Sequence, residues 1–117
     1  MILEQRTGCC TLTAEAKWIG GDLLVVLTGG DAHIGSVSCA SEGEPPHTFQ
    51  HPHHRDAALG DRFALGLCRA LGVKAAVVCG VHVDGIRPEE IQEILSEGDV
   101  LLERLATGLQ ADKSDGI

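Results

Sequence analysis

The segment Asp22–Ala40, DLLVVLTGGDAHIGSVSCA, decides the fold of this chain. An apolar run is followed by two glycines, an acid and a histidine, and a second apolar run then begins. Both runs have the length and composition of β-strands, and glycines between strands favour a turn. The segment therefore predicts two strands of one sheet, with His33 at the corner between them.

The residues before this segment predict a further strand. Between Cys10 and Trp18, polar residues occupy every second position, which is the period of a strand with one buried and one solvated face. The sequence GGD at residues 20–22 favours a tight turn into the next strand. Three consecutive strands joined by short connections predict an antiparallel meander.

A helix and a central strand are predicted downstream. Apolar residues recur every four positions from Leu59 to Leu71, which indicates an amphipathic helix that begins after Asp56 and ends at Gly72. The sequence AAVVCGV at residues 75–81 is apolar on both faces, which is typical of a central strand covered on both sides.

A second helix completes the predicted fold. Pro88 suits its first position, and the helix is either continuous or divided near Gly98. The predicted fold class is α+β, with the element order β-β-β-α-β-α: an antiparallel meander plus a central strand, with the helices packed on one face. We predict a single domain over residues 1–117, with a core at about 6–109 and a frayed tail over 110–117.

The composition indicates a small aliphatic core. The chain has 117 residues, of which 44% are hydrophobic, but it contains only two Phe, one Trp and no Tyr. A chain of this size has room for one core, and burying further surface between two copies would stabilise it. A homodimer is therefore expected.

Charge and patterning exclude several classes of partner. The net charge of −8 repels phosphodiester backbones and anionic membranes, so neither nucleic acid nor a membrane is an expected partner. No apolar run is long enough for a spanning helix, and nothing near Met1 has the pattern of a signal peptide. Five cysteines without a C-x-x-C pair favour reduced thiols. The expected location is the cytoplasm.

The first candidate site lies at the corner after the apolar run. Gly29, Gly30 and Gly35 either satisfy turn geometry or leave room for a ligand close to the backbone. His33 begins the next strand, where its imidazole can face a cleft.

The second candidate site is the histidine-rich segment from Ser41 onward. His54 and Arg55 immediately precede a predicted helix, and free amides beside a guanidinium form a pocket suited to phosphate. Asp56 is alternatively a simple helix cap. The other histidines of this segment are either solvated or part of a metal site: His47, His51 and His53.

The third candidate site follows the central strand. His82 and Asp84 stand where that strand leaves the core, and strand ends of this kind bind ligands in α/β sheets. A buried histidine that is paired with a carboxylate is the alternative. A metal is not expected, because the histidine spacing matches no established metal motif. No nucleophile elbow or phosphate loop is present in the sequence, so we expect no enzyme.

Three motifs, in this order, resemble those of the LpdD-like family. They are GGDAHIGSV at residues 29–37, HRD at residues 54–56 and GVHVDGIRPEEI at residues 80–91. The resemblance extends from about Thr7 to the helix after Pro88.

The resemblance implies a chaperone that binds reduced prenylated FMN and delivers it to a UbiD-type decarboxylase. It also implies a dimeric fold similar to the eukaryotic proteasome-assembly chaperones. Gly29, Gly30, His33 and Gly35 would form a wall that the flavin approaches. His54 and Arg55 would contact the phosphate of the flavin. His82 and Asp84 would contact the polar edge of its ring.

Two other functions compete with this one. A small metal-dependent enzyme would use His33, His54 and His82 as ligands. A dimeric assembly protein without any small ligand would instead act through its surface alone.

Overall fold

The fold is a mixed α+β domain, as predicted, with one six-stranded sheet and two helices. The computed structural model describes residues 1–52 and 55–116. The elements are β1 (Ile2–Arg6), β2 (Thr11–Ile19), β3 (Asp22–Gly30), β4 (Ser36–Ala40), β5 (His47–Gln50), α1 (Ala57–Leu71), β6 (Ala75–His82) and α2 (Pro88–Gly116).

The order of strands in the sheet is β1-β2-β3-β6-β4-β5. An antiparallel meander is present, but its three strands are β1, β2 and β3. The strand that follows Gly35 was expected to pair with β3, and instead β6 lies between the two, parallel to β3 and antiparallel to β4. A strand that is apolar on both faces gains most from an interior position, so β6 takes the place beside β3.

The helix α1 has the predicted bounds, but its first turn is capped by an unexpected residue. The N–H of Ala57 donates to Oε1 of Gln50, at 3.1 Å. Asp56 occupies the capping position without making a side-chain capping bond, so the simple capping role considered for it is wrong. At the other end, Gly72 has a left-handed conformation (φ 66°), and its N–H donates to the carbonyl of Cys68.

The helix α2 is continuous from Pro88–Gly116, so the alternative of a division near Gly98 is not observed. A Cβ at Gly98 would lie 2.9 Å from Cδ1 of Leu59. The glycine therefore lets α2 approach α1 closely instead of ending the helix. Residues 110–116 continue this helix, and Nζ of Lys113 donates to the carbonyl of Leu71, which ends α1.

Both helices cover the same face of the sheet, as predicted. The side chains buried there include those of Leu12, Val25 and Val77 from the strands, and Phe63 and Leu105 from the helices. These aliphatic contacts form one continuous core. None of the described helices is both long and apolar enough to cross a membrane.

The opposite face of the sheet is only partly buried. Val26, Val78, Val37 and Phe49 are register partners in successive strands and form one apolar row across that face. Phe49 is 60% exposed and Val26 is 37% exposed. The prediction that β6 is central is confirmed, and within one chain the helices cover only one of its two faces.

Candidate functional site

The candidate site lies where the parallel strands β3 and β6 end side by side. Gly30 at the end of β3 is the register partner of His82 at the end of β6. The N–H of Asp31 then donates to the carbonyl of His82, at 2.8 Å, which fixes the turn out of β3. Ligand sites of α/β sheets are typically found outside strand ends of this kind.

A buried carboxylate holds this end of the sheet together. Asp56 is only 7% exposed, and its Oδ1 accepts a hydrogen bond from the N–H of Val81, at 2.8 Å. Its Oδ2 lies 3.2 Å from Nε2 of His33. Because Nδ1 of the same ring lies 3.0 Å from the carbonyl oxygen of Asp31, both ring nitrogens face acceptors.

The same carboxylate affects a neighbouring thiol. Burial and, to a smaller extent, the negative charge of Asp56 together raise the pKa of Cys79 to about 12. Cys79 therefore acts here as a small apolar core residue, not as a nucleophile.

The glycines of this region make room for the chain itself. A Cβ on Gly35 would lie 1.8 Å from Oδ2 of Asp56, and one on Gly80 would lie 1.6 Å from the carbonyl oxygen of His33. At Gly30, where φ is +63°, the nearest atom would be the carbonyl oxygen of His82. The glycines indicated that other atoms lie close to the backbone here. Those atoms belong to the protein itself, and the corner that carries His33 therefore packs directly onto β6.

A second histidine–carboxylate pair lies at the surface of the same end. Nε2 of His82 and Oδ1 of Asp84 are 2.8 Å apart, and both side chains are at least half exposed. The rings of His33 and His82 meet edge to face, with their centroids 6.3 Å apart. One ligand atom from each of Asp31, His82 and Asp84 lies within 4.8 Å of the other two.

A cavity of about 410 Å³ opens beside these residues, between α1, β6 and α2. That volume is in the range of small-molecule sites. Its walls are mainly aliphatic, and its polar side chains are those of Arg55, Asp56 and His82. The aliphatic walls are formed by Leu59, Val81, Val83, Ile86, Ile91, Ile94 and Leu95. Such a cavity accepts a flat apolar body that carries a polar or anionic end.

A larger cavity of about 610 Å³ lies at the opposite end of the sheet. It is lined by residues 41–46 after β4 and by the end of α1. Its charged residues are Glu42, Glu44 and Arg69, so carboxylates outnumber the single cation. Anions are disfavoured there, and the smaller cavity is therefore the candidate site.

The structure brings most of the predicted site residues to one end of the sheet. Gly29, Gly30, His33 and Gly35 lie beside the strand ends that carry His82 and Asp84, and Arg55 lines the smaller cavity. His54 and His53 lie outside the described residues.

The other histidines of the central segment differ in their location. His47 lies 3.8 Å from the carboxylate of Glu44 near the larger cavity. The backbone N–H of His51 donates to the carbonyl of Gly35, and its ring meets that of Phe49 edge to face.

Two acids and the aliphatic wall were not predicted as parts of the site. Asp56 resembled a helix cap because it directly precedes α1, and only its contact with Val81 shows its other role. Asp31 lies inside a motif that was noticed for its glycines and histidine. Ile86 and Ile91 flank Pro88, and neither was predicted to line a binding site.

Comparisons with known proteins agree with the family resemblance that the three sequence motifs indicated. The family model described as a prenylated flavin chaperone LpdD-like domain matches residues 6–110. The protein LpdD of Lactiplantibacillus plantarum is 32% identical over 106 residues, which cover 86% of this chain and 78% of that protein.

Proposed function

This chain belongs to the prenylated flavin chaperone LpdD-like family, and on that premise we propose that it binds reduced prenylated FMN and delivers it to a UbiD-type decarboxylase. A role as a chaperone follows from the family. The redox state of the flavin, the receiving enzyme and the residues that bind the flavin are the parts that we propose.

The cavity of about 410 Å³ is the observation that carries the proposal. The prenylated ring system of this flavin is flat and largely apolar, and the ribityl phosphate is anionic. Aliphatic side chains such as Ile86, Ile91 and Leu95 offer the apolar contact, and Arg55 offers a planar guanidinium for the phosphate. The two ends of the ligand thus have matching surfaces in one cavity.

Each predicted site residue has a role in this proposal. Arg55 binds the phosphate, and His54 is the second phosphate contact. His33, held by Asp56, and His82, paired with Asp84, face the polar edge of the ring. The remaining predicted residues, Gly29, Gly30 and Gly35, let these side chains come together because protein atoms pack directly against them. The nearest atoms belong to the side chain of Leu12, the carbonyl of His82 and the carboxylate of Asp56, respectively.

The composition of the cavity suits a protein that carries the flavin without catalysing a reaction. The described residues that line it include no Phe, Tyr or Trp, so none of these large rings stacks on the flavin. A chaperone must release its cargo, and fast dissociation is compatible with moderate affinity. We propose that the protein performs no chemistry on the flavin.

The open face of the sheet supports a homodimer. Its apolar row of Val26, Val78, Val37 and Phe49 would be buried if two copies packed face to face. We expect Val78→Lys to convert the dimer to a monomer in light scattering coupled to gel filtration. Val100→Lys changes a half-exposed apolar residue of α2 and should remain dimeric. A monomeric wild-type protein would contradict this arrangement.

The cytoplasm is the proposed location of the protein. All five cysteines are free thiols in the structure. Free thiols persist in reducing compartments, which agrees with this location.

Anaerobic titration with three flavins tests the proposed cargo. We expect reduced prenylated FMN to bind at least tenfold more tightly than reduced FMN or oxidised FMN, because the prenyl group adds apolar area against the aliphatic walls. Absence of binding to all three would contradict the flavin role. Equal binding of all three would contradict the preference for the reduced prenylated form.

A transfer experiment tests the delivery step. The loaded protein is mixed anaerobically with an apo decarboxylase of the UbiD type, and the flavin that each protein retains is measured after separation. We expect the flavin to move to the decarboxylase and activity to appear there after oxidation. Flavin that remains on the small protein would contradict delivery.

A further inference from the structure

We propose that Asp31, His82 and Asp84 bind a divalent metal ion at the mouth of the smaller cavity. The ion would leave coordination positions open toward the cavity, where an oxygen of the bound flavin completes the shell. The metal site rests on the geometry of the three residues alone, whereas its contact with the flavin rests on the proposed function.

The three side chains come from two neighbouring strand ends that are fixed by backbone contacts. Asp31 directly follows Gly30, the register partner of His82, and its N–H donates to the carbonyl of His82, at 2.8 Å. Asp84 stands two residues beyond His82 and already contacts that imidazole, with 2.8 Å between Nε2 and Oδ1. The ligands are therefore held near one another before any ion arrives.

The distances suit a metal ion with small adjustments. The candidate ligand atoms of Asp31, His82 and Asp84 lie within 4.8 Å of one another. Metal–ligand bonds of about 2.0–2.2 Å place neighbouring ligand atoms roughly 3–4 Å apart. Because the side chains of His82 and Asp84 are at least half exposed, rotation about their side-chain bonds can close the remaining gap.

The chemistry of the ligands selects the kind of ion. Two carboxylates and one imidazole form a mixed oxygen and nitrogen set, which suits Mn²⁺ or Zn²⁺ better than the all-oxygen sites of calcium. Three protein ligands also leave at least one position for water or for another oxygen ligand.

The charge at the mouth of the cavity gives an independent reason for an ion. The chain has a net charge of −8, and Arg55 is the only lysine or arginine among the described residues that line this cavity. Asp56 is already paired with His33, but Asp31 and Asp84 are exposed carboxylates that would repel an anionic ligand. A divalent cation bound to both of them removes this repulsion and attracts an anionic oxygen instead.

Binding of Mn²⁺ to the flavin-free protein tests the metal site. We expect electron paramagnetic resonance titration to show one Mn²⁺ per chain, and Asp84→Asn to weaken its binding at least tenfold. Glu44→Gln is the matched control, because Glu44 forms the other exposed histidine–carboxylate pair, with His47. Binding that is not stoichiometric, or that Asp84→Asn leaves unchanged in a folded protein, would overturn the metal site.

Titration of flavins with Mn²⁺, or after its removal by a chelator, tests the contact with the cargo. If the ion contacts the phosphate, its removal weakens the binding of reduced prenylated FMN at least tenfold and leaves the binding of the dephosphorylated flavin unchanged. If the ion contacts the ring edge, its removal weakens the binding of both flavins. Flavin binding that does not depend on the ion would overturn the contact. Mn²⁺ binding without any flavin binding would contradict the proposed function and leave the metal site intact.

Discussion

Each end of β6 carries a cavity, and the two cavities are built differently. At the end near His82, glycines are pressed against backbone and carboxylate atoms of the protein. At the end near Ala75, Gly43 and Gly72 have left-handed conformations, and a Cβ added to either would meet nothing within 4 Å. Glycines at the first end permit a close-packed arrangement of functional groups, whereas glycines at the second only turn the chain.

This contrast shows why volume alone does not identify the site. The cavity near Ala75 is larger, yet two carboxylates stand among the residues of its loop wall. The cavity near His82 is smaller and has a rigid corner with a buried acid behind it. Rigid placement of polar groups, rather than empty space, distinguishes a binding site from a surface groove.

The largest expected difference between the two ends is in thiol reactivity. Cys79 lies behind the histidine end, where its pKa is raised from 9.0 to about 12, and Cys39 is exposed on the open face. A shift of that size lowers the thiolate fraction of Cys79 roughly a thousandfold. We expect iodoacetamide at pH 8 to modify Cys39 rapidly and to leave Cys79 intact until the protein unfolds, as peptide mass spectrometry would show.

The control for this prediction is the same reaction in denaturant, where both thiols should react. Modification of Cys79 in the folded protein at a rate close to that of Cys39 would contradict the burial of this thiol. The raised pKa also has a consequence for stability. The folded thiol keeps its proton while the unfolded thiol ionises, so the free energy of unfolding falls as the pH rises from about 9 to about 12.

The second prediction compares one glycine from each end. Gly80→Ala places a Cβ 1.6 Å from the carbonyl oxygen of His33, so the backbone must move, and we expect a loss of about 3 kcal/mol or more of unfolding free energy. Gly43→Ala meets open space and adds only the strain of φ +78°, about 1 kcal/mol. Urea denaturation measures both. Equal losses would show that the corner of His33 is not packed on β6.

The third prediction compares the arginines of the two cavities. Arg55→Ala removes the guanidinium proposed for the phosphate, and we expect reduced prenylated FMN to bind roughly 10–100-fold more weakly in anaerobic titration. Arg69→Ala removes the cation that lines the larger cavity and should leave this binding unchanged. A larger effect from Arg69→Ala than from Arg55→Ala would move the site to the other end of the sheet.

The smallest expected effects are at the two ends of α1. Gln50→Ala removes the acceptor for the N–H of Ala57, and we expect a loss of about 0.5–1 kcal/mol of unfolding free energy. Gly72→Ala strains a left-handed cap and should cost about 1 kcal/mol. Thermal melts followed by circular dichroism measure both. A Gln50→Ala protein as stable as wild type would show that water replaces this cap.

Local signals predicted both helices and four of the six strands, but not the arrangement of the strands. The alternation in β2 and the four-residue period that ends at Gly72 depend on neighbouring residues only, and both predictions were confirmed. The partner of β3 depends on competition between β4 and β6, which no local pattern shows. The apolar character of β6 on both faces was a usable signal, because it favoured an interior strand. The strands β1 and β5 had no such pattern and were not predicted, so the predicted order β-β-β-α-β-α lacks two of the observed strands.

The site was predictable to the extent that strand ends determine it. His33 was expected near a cleft because it begins a predicted strand, and His82 because it follows the end of one. The parallel pairing of β3 and β6 brings the two histidines together. The role of Asp56 was not predictable, because its position before α1 agrees equally well with a cap. Only its hydrogen bond to Val81, a residue distant in sequence, distinguishes the two roles.

The insertion of β6 between β3 and β4 also governs the order of folding. The meander β1–β3 can pair as soon as it is synthesised, and the hairpin β4–β5 can form by itself. Neither can join the other until β6, which follows both in the chain, enters between them. Because distant pairings close slowly, we expect the insertion of β6 to limit the folding rate. Until then the edges of β3 and β4 stay unpaired, and the nascent chain is most prone to aggregation in that interval.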